Sequence, residues 1–189
     1  MDRRTFLTTA TSVVGACGLG VAAVPFLRSL QPAQDIIEAG ITEVDISGIG
    51  VGEVRTVLWR QQPVFILHRS PQMIASAKKI DPAGLRDPAT PEDRVKRPEW
   101  LVCLGVCTHL GCVPDLRPDG VPGFDQPGFL CPCHGGEYDS LGRRLAGPPP
   151  ENLHLLPYEF VGNTKLRLGT KAFPGFSADV RKIQDLPSR

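Results

Sequence analysis

The chain has little of what marks several common classes of protein. Its 189 residues include only two Trp, two Tyr and eight Phe, and the formal net charge is +1. The near-neutral charge argues against a nucleic-acid partner, which would favour a basic face. The scarcity of aromatic residues argues against recognition by stacking. The sequence also has no internal repeats and no coiled-coil heptads. Gly (20 residues) and Pro (19) are frequent, which suits a β fold rich in loops.

Long uncharged stretches are also scarce, with a single exception at the N-terminus. Arg3-Arg4 is followed by Thr5-Phe6-Leu7 and an uncharged run to Leu27, a pattern typical of a twin-arginine export signal. At about 1.5 Å per residue this run reaches about 34 Å, enough to cross a hydrocarbon core of about 30 Å. A cleaved signal peptide is the alternative, but no A-x-A site follows the run. We therefore predict a retained single-pass anchor in a bacterial inner membrane, with the remaining chain on the periplasmic side.

The N-terminal run and the sequence patterns that follow it divide the chain into four segments. We predict a signal and anchor over 1–27, a flexible linker over 28–42, one β domain over 43–170 and a polar tail over 171–189. The predicted strands cover 43–46, 54–60, 64–68, 100–104, 129–130, 155–160 and 164–168. Turns are expected at 61–63 and 162–163, a short helix at 71–79 and a surface loop at 81–99. The fold class is therefore all-β, a small antiparallel sandwich or barrel, with an N-terminal transmembrane helix.

Two short boxes hold four of the six cysteines. The first is Cys107-Thr-His109-Leu-Gly-Cys112 and the second is Cys131-Pro-Cys133-His134-Gly-Gly136. Each box offers a thiolate and an imidazole at tight spacing. This is typical of a [2Fe–2S] centre in which two cysteines hold one iron and two histidines the other, which raises its potential above that of an all-cysteine cluster. The candidate ligands are Cys107, His109, Cys131 and His134.

The two histidines are also the candidate catalytic residues. Each ligating imidazole keeps one free ring nitrogen, and oxidised iron makes the N–H at that nitrogen more acidic. A site built on His109 and His134 can then accept an electron and a proton together, as the oxidation of a hydroquinone requires.

Cys112 and Cys133 leave two alternatives open. In an exported domain they can form a disulfide, which would close a loop of about 20 residues and contribute on the order of 3 kcal/mol. Alternatively, the cysteines and histidines of both boxes share zinc sites in a zinc-stabilised binding module. The spacings lack the paired C-x2–4-C and H-x3–5-H of common zinc fingers, which disfavours zinc.

Other polar residues of the chain are interpreted structurally. His68 and His154 have no ligand spacing to another Cys or His, so we expect them to serve the fold. The charge run over 92–97 is predicted to be a solvated loop, and Arg143-Arg144 a surface pair.

Taken together, the chain resembles the Rieske iron–sulfur subunits of bacterial ubiquinol–cytochrome c reductase, the cytochrome bc complex. The resemblance also includes the segments 44–47, 59–69, 100–102, 138–143 and 147–153. It implies that the four candidate ligands hold a Rieske [2Fe–2S] cluster and that Cys112 and Cys133 form a disulfide. It further implies a hydrogen bond from Tyr138 to a cysteine sulfur. A proline loop over Gly147–Pro150, with Pro148, would cover the cluster, and Leu110 would lie at the docking tip.

The implied function is electron transfer in a membrane quinol–cytochrome c reductase. The cluster would take one electron from quinol at cytochrome b, with proton release, and pass it to cytochrome c1. The complex is expected to be dimeric, and the linker to act as a tether. An alternative is the Rieske small subunit of an exported oxidase such as arsenite oxidase.

One position departs from the commonest pattern of the family. Many members have Ser where this chain has Gly136, and that hydroxyl donates a hydrogen bond to a bridging sulfide. Hydrogen bonds to sulfur raise the potential. We therefore predict a lower potential than in Ser-bearing relatives, and a higher midpoint in Gly136→Ser. The alternative is a turn glycine that needs positive φ.

Overall fold

The computed structural model describes residues 2–29 and 40–169, which belong to two separate compact units. The first unit ends at Ala39 and the second begins at Gly40. Most of the predicted linker and the predicted tail lie outside the described residues, so both stay predictions.

The N-terminal unit contains one long helix, α1, from Arg3 to Ser29. It ends two residues beyond the predicted anchor. Its most apolar 18-residue window has a mean hydropathy of 1.8, and the helix is long and apolar enough to cross a membrane. None of its side chains is buried within the described structure, as expected of a helix whose apolar surface is meant for lipid.

Strands dominate the second unit, which confirms the predicted all-β class. In chain order they are β1 Thr42–Asp45, β2 Val54–Trp59, β3 Gln62–His68, β4 Trp100–Leu104, β5 Asp115–Arg117, β6 Gly128–Cys131, β7 Gly136–Asp139, β8 Arg144–Ala146, β9 Tyr158–Val161 and β10 Lys165–Leu168. They form three antiparallel sheets of order β1-β10-β9, β2-β3-β4 and β5-β6-β7-β8. Short helices α2 (Pro71–Lys78) and α3 (Pro91–Arg94) and a 3-10 turn (Pro82–Gly84) connect β3 to β4.

In the β2-β3-β4 sheet, β3 and β4 are buried on both faces. Because side chains alternate along a strand, Val64 and Ile66 of β3 join a core cluster shared with β1, β9 and β10. Phe65 and Leu67 point the other way and join a second cluster that contains Phe129 and both candidate ligand cysteines. This explains why β3 and β4 read as continuous apolar runs, as expected of strands covered on both faces. The second cluster places the candidate ligands against the core.

The hairpin between β2 and β3 turns earlier than predicted. Trp59 pairs with Gln62 and Leu58 with Pro63, so Gln62 and Pro63 belong to β3. The turn consists of Arg60 and Gln61, which both have positive φ (49° and 63°). A two-residue turn with both residues in this region matches the twist of the flanking strands. The predicted turn over 61–63 was therefore wrong in position.

Two arginines expected at the surface are buried. Arg143 is fully buried, with Asp139 as its ion-pair partner at 2.7 Å. Arg94 is 7% exposed, and its Nε donates to the carbonyl of Leu141 at 3.1 Å. Both predictions failed because the acceptor carbonyls, that of Leu141 for Arg94 and those of Ala77 and Ala89 for Arg143, come from segments that only the fold brings together. Asp139 is only four residues from Arg143, but the sequence alone does not show that this pair is buried. A buried charge is tolerated when it is paired and hydrogen-bonded.

Candidate metal centre

Both boxes form loops of the same design. In the first, the N–H of Gly111 donates to the carbonyl of Cys107 at 3.0 Å, and in the second the N–H of Gly135 donates to Cys131 at 3.0 Å. Both glycines have positive φ, 84° and 68°. In each box, a glycine four residues after the candidate cysteine closes a turn. Its positive φ is a backbone conformation that other residues rarely adopt. The first loop is closed further by the N–H of Cys107, which donates to the carbonyl of Cys112 at 2.7 Å.

The loops bring the four candidate ligands together in two pairs. Cys107 and Cys131 are 3% and 2% exposed and belong to the same core cluster. The rings of His109 and His134 lie outside them, with centroids 4.7 Å apart and planes nearly perpendicular. His109 is half-buried and His134 is exposed. The thiols therefore face the core, while the imidazoles face the outside.

The donors fit a cluster with two sulfur and two nitrogen ligands. Nδ1 of His109 is buried and has no hydrogen-bond partner, which is unusual for a buried polar atom unless it serves another purpose. Burial raises the pKa of Cys131, and a side-chain hydrogen bond with Cys107 raises it further. Such thiols ionise readily only when a metal takes the proton's place. An unpartnered ring nitrogen on the same pair of loops as two buried thiols is what a metal centre needs.

Tyr138 lies directly behind the first loop. Its hydroxyl is 3.3 Å from Sγ of Cys107, the expected contact with a cysteine sulfur. The same hydroxyl accepts from the N–H of Thr108 at 3.2 Å and lies 3.3 Å from Thr108 Oγ1. Burial raises the pKa of Tyr138 above its usual range, so the phenol stays protonated at neutral pH. A phenol that accepts one backbone N–H can direct its own hydrogen to the sulfur.

Cys112 and Cys133 form a disulfide, with Cα atoms 6.7 Å apart. This disulfide joins the first box to the second and uses neither of the candidate ligand cysteines. The sulfurs of Cys112, Cys131 and Cys133 all lie within 4.8 Å of one another. The sulfurs of the disulfide are already bonded to each other, so we do not assign this trio as a metal site.

The predicted proline loop lies against the second box through Pro149, and not through Pro148, the residue that was singled out. Pro149 is buried, whereas Pro148 is exposed. A Cβ atom at position 136 would lie 2.5 Å from Cγ of Pro149. Gly136 does not have positive φ; Gly135 does, so the alternative role of Gly136 as a positive-φ turn residue was wrong. Leu110 is 56% exposed at the tip of the first loop, next to His109.

Thr108 was also missed. Its Oγ1 donates to the carbonyl of Glu151 at 2.7 Å and so ties the first loop to the segment after the proline loop. No motif in the sequence marks this contact, because the two residues lie 43 positions apart.

His68 and Cys103, which lie outside the boxes, have structural places in the fold. Nδ1 of His68 is 2.8 Å from the carbonyl of Ile49, and the ring stacks on Trp100 with centroids 4.2 Å apart. The structural interpretation of His68 is thus confirmed. Cys103 is fully buried in β4, and burial raises the pKa of its thiol to about 12.

Comparison with known proteins gives matches over both units. Residues 1–33 match a family described as "Ubiquitinol-cytochrome C reductase Fe-S subunit TAT signal". Residues 38–157 match the Rieske [2Fe-2S] domain.

Individual relatives agree with these families. The chain is 48% identical over 168 residues to the ubiquinol-cytochrome c reductase iron-sulfur subunit of Rhodospirillum rubrum, covering 89% of this chain and 92% of that one. It is 44% identical to the Rieske subunit of the mitochondrial cytochrome b-c1 complex of Neurospora crassa, over 87% of this chain and 69% of that one. Among solved structures, a chain of a hyperthermophilic respiratory Complex III is similar, with a TM-score of 0.51 and 27% identity, over 84% of this chain and 98% of that one.

Proposed function

Because this chain belongs to the Rieske iron–sulfur subunits of ubiquinol–cytochrome c reductases, we propose that its two loops carry one electron from quinol to a c-type haem. The observation that supports this most is the convergence of a buried thiol pair and an outward imidazole pair. The chain is the electron-transfer subunit of a membrane quinol–cytochrome c oxidoreductase. The residues that we propose as ligands are Cys107, His109, Cys131 and His134.

A [2Fe–2S] cluster bound there supplies a one-electron acceptor of higher potential than an all-cysteine cluster. The protein supplies the rest. Cys107 and Cys131, which are buried in the core, would hold the cluster on their side and keep water from it. His109 fits as a ligand through its unpartnered Nδ1, which leaves Nε2 free to meet a quinol hydroxyl. The Nε2–H would be acidic next to a bound oxidised cluster, and in its deprotonated form this nitrogen would accept the quinol proton. We propose the same role for the outward ring nitrogen of His134, which is exposed.

The apolar tip of the first loop supports docking against a membrane partner. Leu110 and Val113 are 56% and 49% exposed on either side of the disulfide cysteine Cys112. We propose that this tip enters the quinol pocket of cytochrome b and later meets cytochrome c1, within a dimeric complex. The residues between the two described units would provide the reach. Electron transfer with two partners at different positions would require the cluster domain to move between them. In one fixed position the cluster would be far from one of the two partners.

Helix α1 supports a single-pass anchor in the bacterial inner membrane. Its apolar length is sufficient, and Arg3 and Arg4 stand at its N-terminal end. Basic residues next to a span favour the cytoplasmic side. We therefore propose that the N-terminus faces the cytoplasm and that the cluster domain faces the periplasm, where a disulfide persists.

Neither alternative function is favoured by the site or the relatives. The zinc module would use the sulfurs of Cys112 and Cys133, which are bonded to each other. The relatives described above are subunits of a ubiquinol-cytochrome c reductase and of a cytochrome b-c1 complex.

Replacing the proposed sulfur ligands one at a time tests the assignment. We expect Cys107→Ser and Cys131→Ser to abolish the reduced Rieske EPR signal in membranes and the quinol–cytochrome c reductase activity. Cys103→Ala, which changes a buried cysteine of the same core cluster, should keep both. Retention of the EPR signal in either serine variant would overturn the ligand assignment. Loss of the signal in Cys103→Ala, with the signal kept in both serine variants, would also overturn the ligand assignment.

A further inference from the structure

Gly136 lies where a side chain has no room. It begins β7 and pairs with Cys131 across the strand. A Cβ atom at this position would lie 2.5 Å from Cγ and 3.0 Å from Cδ of Pro149, and 3.5 Å from Cβ of Cys131. The first distance is shorter than carbon atoms in proteins tolerate. Since the φ of Gly136 is not positive, its backbone would accept another residue, and only the position of Pro149 excludes one.

Pro149 has little freedom to move away, because the loop that carries it is held on both sides. Before it, Arg144 Nη2 donates to the carbonyl of Gly147 at 2.6 Å. After it, the carbonyl of Glu151 accepts from Thr108 Oγ1 at 2.7 Å. The loop is thus fixed to β8 and to the first box.

A backbone contact reinforces the same interface. A Cβ atom at Gly147 would meet the carbonyl oxygen of Gly135, and it would lie 3.0 Å from Cα of Gly136. Two glycines of the second box and one of the proline loop therefore let the two backbones approach closely. Pro149 fills the space that remains above Gly136, on the side where an added Cβ atom would also lie 3.5 Å from Cβ of Cys131.

We propose that Gly136 and Pro149 form a size-matched pair that positions the second loop. The missing side chain at Gly136 admits the Pro149 ring, and the buried ring shields the part of the second loop that pairs Gly136 with Cys131 from water. Pro149 is thus a positioning residue for a ligand cysteine. The effect on the cluster rests on the proposed role of Cys131 as a ligand, whereas the packing of the pair does not.

The pair predicts that Gly136→Ser does more than add a hydroxyl. Its side chain must displace Pro149, so the loop loosens and water reaches Cys131. In the double variant Gly136→Ser/Pro149→Ala, the smaller residue makes room. The hydroxyl can then stay near the sulfur, where a hydrogen bond raises the potential.

A double-mutant cycle in the full chain, assembled in its membrane complex, tests the proposal. The four proteins are the unchanged chain, Gly136→Ser, Pro149→Ala and the double variant. The first readout is the temperature of a heating step that abolishes the Rieske EPR signal. The second readout is the midpoint potential of the cluster. The controls are Gly84→Ser, at a glycine with open space around it, and Pro122→Ala, at an exposed proline.

We expect Gly136→Ser to lose the signal at a lower temperature or to fail to accumulate, and the double variant to recover most of that loss. The double variant should also have a higher midpoint than Pro149→Ala. Both controls should match the unchanged chain. Additive losses in the cycle, or a double variant that also fails to accumulate, would overturn the pair. Absence of the Rieske signal in the unchanged chain would instead overturn the proposed function.

Discussion

The hydroxyl of Tyr138 serves three groups of the first loop at once. It lies 3.3 Å from the Cys107 sulfur and accepts the backbone N–H of Thr108, whose side chain also lies within 3.3 Å. A hydrogen bond to a ligand sulfur stabilises the more negative reduced cluster. We therefore expect Tyr138 to orient the loop and, with Cys107 as a ligand, to raise the potential of the cluster.

Tyr138→Phe should lower the midpoint potential of the cluster. A hydrogen bond of about 1 kcal/mol corresponds to about 40 mV for a one-electron couple. Redox titration followed by EPR measures the shift. Tyr158→Phe is the matched control, because Tyr158 packs in the other core cluster and its hydroxyl accepts from the N–H of Lys96 at 3.2 Å. Equal midpoints for Tyr138→Phe and the unchanged chain would contradict this role.

At the residue scale, the sequence predicted the candidate ligands but not the residues that hold their loops in place. The spacing of the two boxes was sufficient to predict all four candidate ligands, whereas the contact of Tyr138 was predicted only through the family resemblance. Pro149 was not predictable from the spacing, since its contact with Gly136 spans separate loops and depends on how the backbones approach. Gly136 was noticed for a missing hydroxyl, whereas the structure adds that its lack of volume matters too.

The connection between β7 and β8 is built around a buried ion pair. One carboxylate oxygen of Asp139 accepts the N–H groups of Leu141 and Arg143 at 2.9 and 2.8 Å. The other accepts Nε of Arg143 at 2.7 Å. The guanidinium also donates to the carbonyls of Ala77 and Ala89 at 2.6 and 3.2 Å. This turn therefore anchors the sheet that carries the second box to the segment between β3 and β4.

Asp139→Asn should destabilise the domain strongly, because Arg143 would keep its charge in a buried place without a counter-charge. Breaking a buried pair costs about 3–5 kcal/mol. Urea unfolding of the full chain in detergent measures the loss. Asp115→Asn is the matched control, since its ion pair with Arg117 is 3.8 Å long with side chains about half exposed. We expect a change within about 0.5 kcal/mol there. Similar losses in the two variants would contradict the role of Asp139.

Elements with strong periodicity were predictable, and short ones were not. The strands near 43–46, 54–60, 64–68, 100–104 and 164–168, and the helix near 71–79, were predicted within about two residues at their ends. β5 and β8 were missed because each has only three residues, too few to show a pattern, and β7 was missed as well. Such strands are stabilised by their neighbours in the sheet and not by their own pattern. β7 begins inside the second box, where the glycines indicated a loop.

At the scale of the whole molecule, the chain consists of an apolar helix and a β domain. The domain carries both Cys–His boxes at one tip. The helix exposes its apolar side chains, while the domain buries a core on both faces of its central sheet. The disulfide and the proline loop hold the two cluster loops together at that tip. Such an arrangement suits a rigid electron carrier that is bound to a membrane.

An EPR-monitored redox titration of the full chain in its native membranes, with ubiquinol as the final reductant, tests the central claim most directly. We predict a single Rieske signal that appears in a one-electron step between roughly −150 and +300 mV, the range of such centres, and that ubiquinol alone produces it. Absence of a Rieske signal at every potential, or a signal that dithionite produces but ubiquinol does not, would contradict the account.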